Sequence, residues 1–464
     1  MNLRNRIGLY GAYLFGMSGI GFTLPFLPLY LSQKGLTDRQ IGVLSTLAAL
    51  TALAQFPLGL WADRLQWRKP FLVVALALLA LSTVLLPGAH DVAWLGLLVV
   101  LFAENGICRA VVESLSGAEA ASMASPEHVG SALGALRFFR PAGVVVVALM
   151  GGLWAERHGV GSVLVWLAVV QGLAVVCGLL IQDPGHRRGG PLVENAPVER
   201  GFAPATARYQ SEPGSPRGGY DRALWAFIAV MVLFHFCNAP AGVYLGLFLK
   251  RDLEAPMRVL SYSFVVSMVA WAVLARPAGR LADRIGRRPL LVVGWMAMSV
   301  RLVLLAIAEE SWQVVAVQVL DGVASGLFSI LAGAWVTDRL GDARRVSEAQ
   351  AIVGTSLVFG SALGPAVAAQ FVDVLGYRGL FGALAVVGGI STLTLMAFVP
   401  ETLRPKLQAQ VGPAAADEQA SPAAIALFAA HKALEGLTLS REQLRFNRLV
   451  SDELAQATYD GLWF

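Results

Sequence analysis

The feature that most constrains this chain is a succession of apolar segments, each long enough to cross a bilayer as a helix of about 20 residues. In lipid, backbone N–H and C=O groups must be satisfied within the segment, so such runs fold as helices and not as open sheets. Twelve spans are predicted, near 8–31, 40–62, 70–88, 92–116, 132–154, 161–181, 222–249, 258–278, 289–308, 312–337, 349–372 and 377–400. Composition agrees: 56% of residues are hydrophobic and 14% charged, where soluble domains carry roughly 25% charged residues. The apolar run after "MNLRNR" is too long for a signal peptide and ends in no small-residue cleavage site, so it is read as a retained first span. Cys108, Cys177 and Cys237 stand singly, without metal-ligand or disulfide spacing, and are expected to be small core residues.

Between the sixth and seventh spans, the 41 residues from Gln182 to Arg222 hold 6 Pro and 7 Gly, the composition of a disordered linker. It divides the chain into a bundle over 1–181, a linker over 182–221, a second bundle over 222–404 and a tail over 405–464. Basic residues set orientation. With the first residue inside and the spans bounded as above, cytoplasmic segments hold 23 of the 36 Lys and Arg, the outer loops 5 and the spans 8. Both ends are therefore expected on the cytoplasmic face of an inner (plasma) membrane. Within the tail, "AAIALFAAHKALEG" and "REQLRFNRLVSDELAQATYDGLWF" read as two short amphipathic helices, lying on the cytoplasmic face or binding a partner.

A densely charged turn, "GLWADRLQWRKP" at Gly59–Pro70, returns as "GRLADRIGRRP" at Gly279–Pro289. Each closes the second span of its half, which marks an internal duplication. Gly59 and Gly279 are expected to let helices approach closely. Asp63 with Arg64 and Arg68, and Asp283 with Arg284, Arg287 and Arg288, can form ion pairs that break and reform as the halves move. This turn resembles the major facilitator superfamily, whose signature is G-x-x-x-D-R-x-G-R-[RK]. The second copy matches at Gly279, Asp283, Arg284, Gly286, Arg287 and Arg288; the first departs, with Gln66 and Trp67 where x-G is expected. "PETLRP" after the last span also resembles family members. The resemblance covers roughly residues 7–403. It implies an all-α membrane protein of 12 transmembrane helices in two pseudo-symmetric six-helix bundles, with a solute site between them.

An ionisable residue at the centre of a span costs about 2.5–3.5 kcal/mol on insertion scales, so each is a functional candidate. In the fourth span, "LFAENGICRAVVES", Asn105, Arg109 and Glu113 are spaced i, i+4, i+8 and share a face, on which Arg109 and Glu113 can pair; Glu104 lies off it. The tenth span carries Asp321 and the ninth Arg301, each costly alone and expected to find the other. The seventh, "FHFCNAPAGVYLG", holds His235, Asn238 and Pro240 and is expected to break there; His235 fits a hydrogen-bonded core residue better than a proton carrier. By resemblance, the first, fourth, seventh and tenth helices line the cavity, setting Glu104 or Asn105 opposite Asp321. "MSVR" with "QVLDG" further resembles the lactose-permease-like proton symporters, implying that Arg301 faces the Gln318–Asp321 stretch, and Glu119 with Arg137 resembles an acid–arginine pair of that group. Val144 replaces the ring on which a sugar stacks there, which weighs against sugar. Arg140 occupies a glycine of the antiporter signature G-x-x-x-G-P, which weighs against drug/proton antiport, and with Arg137 it points to an anionic or strongly polar solute.

These readings imply a secondary transporter working by alternating access as a monomer, moving a small polar or anionic solute. Its partners would be that solute and the bilayer, not nucleic acid; it would need no cofactor, only a proton gradient. Protonation of Asp321 would break its pair with Arg301 and couple proton flow to the rocking of the halves. Glu104, Asn105, Arg109, Glu119, Arg137, Asn238 and Gln318 would hold the solute. The sequence has no metal-ligand cluster and no phosphate-cradling loop, so neither an enzyme nor an ATP-driven pump is expected. Two other readings stay open: an efflux pump for lipophilic compounds, and a sensor on a transporter scaffold that signals through its tail.

Overall fold

The computed structural model describes residues 3–402 apart from 66, 105, 124–128, 183–219 and 341–345, so the linker and tail lie outside the described residues. In chain order the helices are α1 (Leu3–Ser18), α2 (Ile20–Thr23), α3 (Leu27–Gln33), α4 (Asp38–Thr51), α5 (Gln55–Arg64), α6 (Arg68–Leu85), α7 (Val92–Phe102) and α8 (Ile107–Met123). They continue as α9 (Val129–His158), α10 (Val163–Leu180), α11 (Arg222–Arg251), α12 (Met257–Ile285), α13 (Arg287–Ile307), α14 (Ser311–Leu340) and α15 (Val346–Phe398).

Among the described residues, ten helices are long and apolar enough to cross a membrane, and eleven if the bent pair Leu3–Thr23 and Leu27–Gln33 counts as one span. The expected eleventh and twelfth spans form one run, Glu348–Phe398, of 51 residues. That run is interrupted at Gly376, where φ is 64° and ψ 176°; glycine takes this left-handed φ without a Cβ clash.

Three spans differ from their sequence reading. The first is not straight: its two parts meet at 54°, across a stretch containing Pro25, which has no N–H to continue the ladder. The fourth is divided, α7 ending at Phe102 and α8 starting at Ile107. "AENG" is turn chemistry, and Gly106 turns so tightly that an added Cβ would strike the Val100 carbonyl. The shared face read through Asn105, which lies outside the described residues, therefore does not exist as one helix surface. The seventh span, by contrast, does not break: α11 runs through Pro240. Proline frees the carbonyl of Phe236 from its helical partner, and Gly364 of α15 packs directly onto that carbonyl and the Pro240 ring.

In the first bundle α1 packs on α9 and α10, and α6 on α8 and α10; in the second α11 packs on α15, α12 on α14, and α13 on both α14 and α15. The bundles join through α4 against α15 and α9 against α12. One end of the molecule, here the linker end, carries Asn5, whose amide exchanges hydrogen bonds with the backbone of Gln182 at 3.2 and 2.8 Å. Asp221 starts α11 there, accepting from Leu224 N at 3.0 Å, and it pairs with Arg339 at the end of α14. The Arg339 guanidinium holds the Asp221 carboxyl below the usual carboxylate range. A depressed folded-state pKa stabilises above the unfolded value, near pH 4, and that contribution is lost as pH falls through the folded value. Asp221→Ala is expected to cost roughly 1 kcal/mol at neutral pH through loss of the cap and less below pH 4, as read by thermal melts at pH 7 and pH 3.5.

Candidate functional site

Four helices of the second bundle converge on one buried cation. Arg301 of α13, 2% exposed, pairs with Asp321 of α14 at 2.8 Å. It also donates to Asn238 of α11 at 2.7 Å and to Gln318 of α14 at 3.1 Å. Ser267 of α12 donates to the second Asp321 oxygen. Gly322 lets α14 lie against the backbone of α12 at Ser267, which brings that hydroxyl within reach. Four residues singled out in the sequence thus share one network. Ser267 was missed, because a serine in an apolar helix carries no sign of its partner. His235 is not in this network: its half-buried ring sits edge-on to Phe328 at 4.5 Å, and its Nε2 has no hydrogen-bond partner among the described residues, so the expected hydrogen bond is not there.

The first bundle holds the complementary set. Glu104 lies in the turn between α7 and α8 and pairs with Arg140 of α9 at 3.2 Å. Glu113 of α8 accepts from the Tyr13 hydroxyl at 2.9 and 2.8 Å and from Arg140 at 3.5 Å. Arg109 therefore does not pair with Glu113. Side chains on a helix lean toward its N-terminus, and Arg109 reaches back across the break, where its Nε donates to the Phe102 carbonyl at 3.0 Å. Glu104 lies within electrostatic reach of Arg140, Arg109 and, from the other bundle, Asp321. Glu119 is buried; the side chain of its expected partner Arg137 lies outside the described ones. Tyr13 and Arg140 are the members that sequence reading left out of the site. Arg140 stands out in the sequence as a replaced glycine and, with Arg137, as a hint of an anionic solute, but without a partner; nothing distinguishes Tyr13 in its apolar span.

The repeated turn closes the linker end. Gly286 has φ 102°, and the following N–H groups of Arg287 and Arg288 both donate to Glu401, at 3.0 and 2.9 Å. Glu401, the acid of "PETLRP", thereby caps α13, where an anion meets the positive end of the helix dipole. Arg287 pairs with Asp338 of α14, inside its own bundle. The Asp63 and Asp283 side chains lie outside the described ones; Arg64 and Arg284 are exposed and Arg68 is half-buried. Gly59 and Gly279 do not mediate close packing as expected. Among the described residues, a Cβ at Gly279 would meet nothing within 4 Å, and one at Gly59 only Ser114 Oγ at 3.9 Å. Both stand where the helices do not press together.

At the opposite end the bundles are tied to each other. Asp38, at the start of α4, receives Arg251 at 2.8 and 2.9 Å and the Tyr377 hydroxyl at 2.6 Å. Arg251 also donates to Tyr377 at 2.6 Å and to Ser32 at 2.7 Å. Nearby, Arg258 pairs with Glu156 at 3.3 Å, and Ser261 donates to the Ala148 carbonyl at 2.7 Å.

The sequence pattern of the MFS_1-like family matches residues 7–383. A separate stretch, 411–464, matches the arginosuccinate synthase C-terminal domain; it falls on the tail, outside the described residues. An uncharacterised MFS-type transporter of Mycobacterium tuberculosis is 27% identical over 386 residues, 82% of this chain and 89% of the relative. The multi-drug resistance efflux pump PmrA of Streptococcus pneumoniae is 26% identical over 401 residues, 84% of this chain and 94% of the pump. Citrate exporter 1 of Aspergillus niger is 25% identical over 206 residues, 44% of this chain and 39% of the exporter. The crystal structure of the nucleoside transporter NupG superposes with a TM-score of 0.65 at 14% identity, covering 86% of this chain and 98% of that one. The chain accordingly belongs to the MFS_1-like family and is a multi-pass membrane transporter of the major facilitator fold.

Proposed function

We propose that this protein moves a small polar or anionic solute by alternating access, driven by protons that titrate Asp321, in an inner membrane with both termini cytoplasmic. One observation carries the reading: Asp321 is ion-paired at 2.8 Å to a fully buried Arg301. Protonating Asp321 removes its charge and weakens the 2.8 Å pair, while Asn238 and Gln318 keep hold of Arg301. The cation is thereby left for the solute or for a rearranged neighbour. With the termini inside, the Asp38–Arg251–Tyr377 contacts lie outside, so this conformation is shut toward the exterior. In proteoliposomes, Asp321→Asn should bind solute but lose accumulation driven by a pH gradient, with counterflow exchange retained. Wild-type accumulation in that variant would sink the reading.

A second reading is export. The names of two relatives, a citrate exporter and a multi-drug efflux pump, support that direction. It predicts that cells lacking the protein accumulate the solute or become drug-sensitive. The charged interior fits citrate-like anions better than lipophilic cations.

A further inference from the structure

Three arginines with described side chains reach into the membrane interior, and they differ in what they bind. Arg140 is bonded to Glu104 and Glu113, and Arg301 to Asp321. Among the described residues, Arg109 is bonded to no carboxylate. It is 1% exposed, its Nε is spent on the Phe102 carbonyl, and its Cζ lies 5.3 Å from the Phe102 ring centroid. Both of its terminal nitrogens, Nη1 and Nη2, lack a hydrogen-bond acceptor among the described residues.

Its other close neighbour is neutral too. A Cβ on Gly19, between α1 and α2, would stand 2.7 Å from Arg109 Nη2 and 2.9 Å from the Gln171 amide nitrogen. Gln171 of α10 is fully buried and bonds Thr83 of α6 through its amide. Thr83 also bonds the Leu79 carbonyl at 2.9 Å, and the Gln171 amide nitrogen, the end toward Gly19, has no hydrogen-bond partner among the described residues. Neither end carries charge. A buried cation without a bonded anion is the costly arrangement in a membrane interior, whereas an arginine held by neutral groups keeps its planar N–H fork for a carboxylate or a compact anion.

We infer that Arg109, held by the Phe102 carbonyl and standing beside Gly19 of the first span, is a binding site for a compact monoanion: a halide, or one carboxylate of the carried solute. The second source rests on the proposed anionic solute; the first does not. Glu104 is the acid whose charge reaches Arg109 most strongly, and it spends its hydrogen bond on Arg140. It therefore competes with the anion for the field of Arg109 without occupying its donors.

The test is a melting titration of the purified full-length protein with sodium chloride, acetate or succinate, at ionic strength held constant with methanesulfonate. Saturable stabilisation is expected, and Glu104→Gln should bind the anion about tenfold more tightly because a repelling charge is gone. A purely structural Arg109 would not yield that gain. Arg109→Lys should weaken binding about tenfold by losing the fork. Response to chloride alone identifies a resident halide; response to carboxylates, with chloride displaced, identifies the solute's own group. If no salt gives a saturable shift in the wild type or in Glu104→Gln, the site does not exist. Asp321→Asn should keep the anion response, so failure here and failure of proton coupling are separable.

Discussion

Arg301→Leu is expected to destabilise the detergent-purified protein by about 3–5 kcal/mol, because it leaves Asp321 charged in the interior without its cation. Asn238 and Gln318 would also lose the donor they both accept from. The double variant Arg301→Leu with Asp321→Leu should recover most of that stability, since removing both members of a buried pair is often near neutral. Ser267 then keeps a hydroxyl that water or a backbone carbonyl satisfies. The double variant should nonetheless lose all proton-driven accumulation. Melting curves of the two single variants and the double form a cycle whose interaction term reports the pair. Additive losses would show that the 2.8 Å contact is not an energetic unit. Stability and coupling should therefore separate: restored folding without restored transport assigns the pair to function.

Breaking the tie at Asp38 should have the second largest effect, on conformation rather than folding. Asp38 has a side chain only 9% exposed, while that of Arg251 is 42% exposed, so the full cost of a buried pair does not apply and solvent screens part of it. Charge-assisted hydrogen bonds of this kind contribute about 1.5–3 kcal/mol. Arg251→Gln is thus expected to shift the balance between closed and open forms at this end by roughly tenfold to a hundredfold. Tyr377→Phe loses a hydroxyl that both donates to Asp38 and accepts from Arg251, and should shift it by about fivefold. Distances between spin labels placed on Gly35 and Glu254 would report the opening. An unchanged distance distribution in Arg251→Gln would mean that close packing of α4 on α15 and α9 on α12 holds this end shut by itself. That packing is substantial: at Gly42 an added Cβ would meet the Pro365 carbonyl at 2.8 Å, and Thr46 donates to the Ala362 carbonyl at 2.8 Å.

The membrane, the helices and the family could be read from the chain alone. Each rests on a local property: the length of an apolar run, a turn repeated at matching places, or the sign of the loop charges. The meeting of Arg301 and Asp321 was also legible, since two costly charges on consecutive helices have few other places to go. The sequence even hinted at the wrong fate for Arg109, because Glu113 sits one turn away on the same helix, and a turn at 103–106 was not separable from a continuous span.

Only the tertiary structure decided which acids Arg140 and Arg251 take. Arg140 draws Glu104 and Glu113 from 36 and 27 residues away, and Arg251 reaches Asp38 across 213. Such pairings depend on how far each helix is rotated about its axis and slid along it. Those two degrees of freedom are set by close packing between helices, at glycines such as Gly19, Gly322 and Gly364, and leave no trace in the hydropathy of a single span. Neither could the sequence say that Pro240 would leave α11 unbroken. That outcome depends on Gly364, 124 residues further along the chain, lying against the carbonyl that the proline sets free.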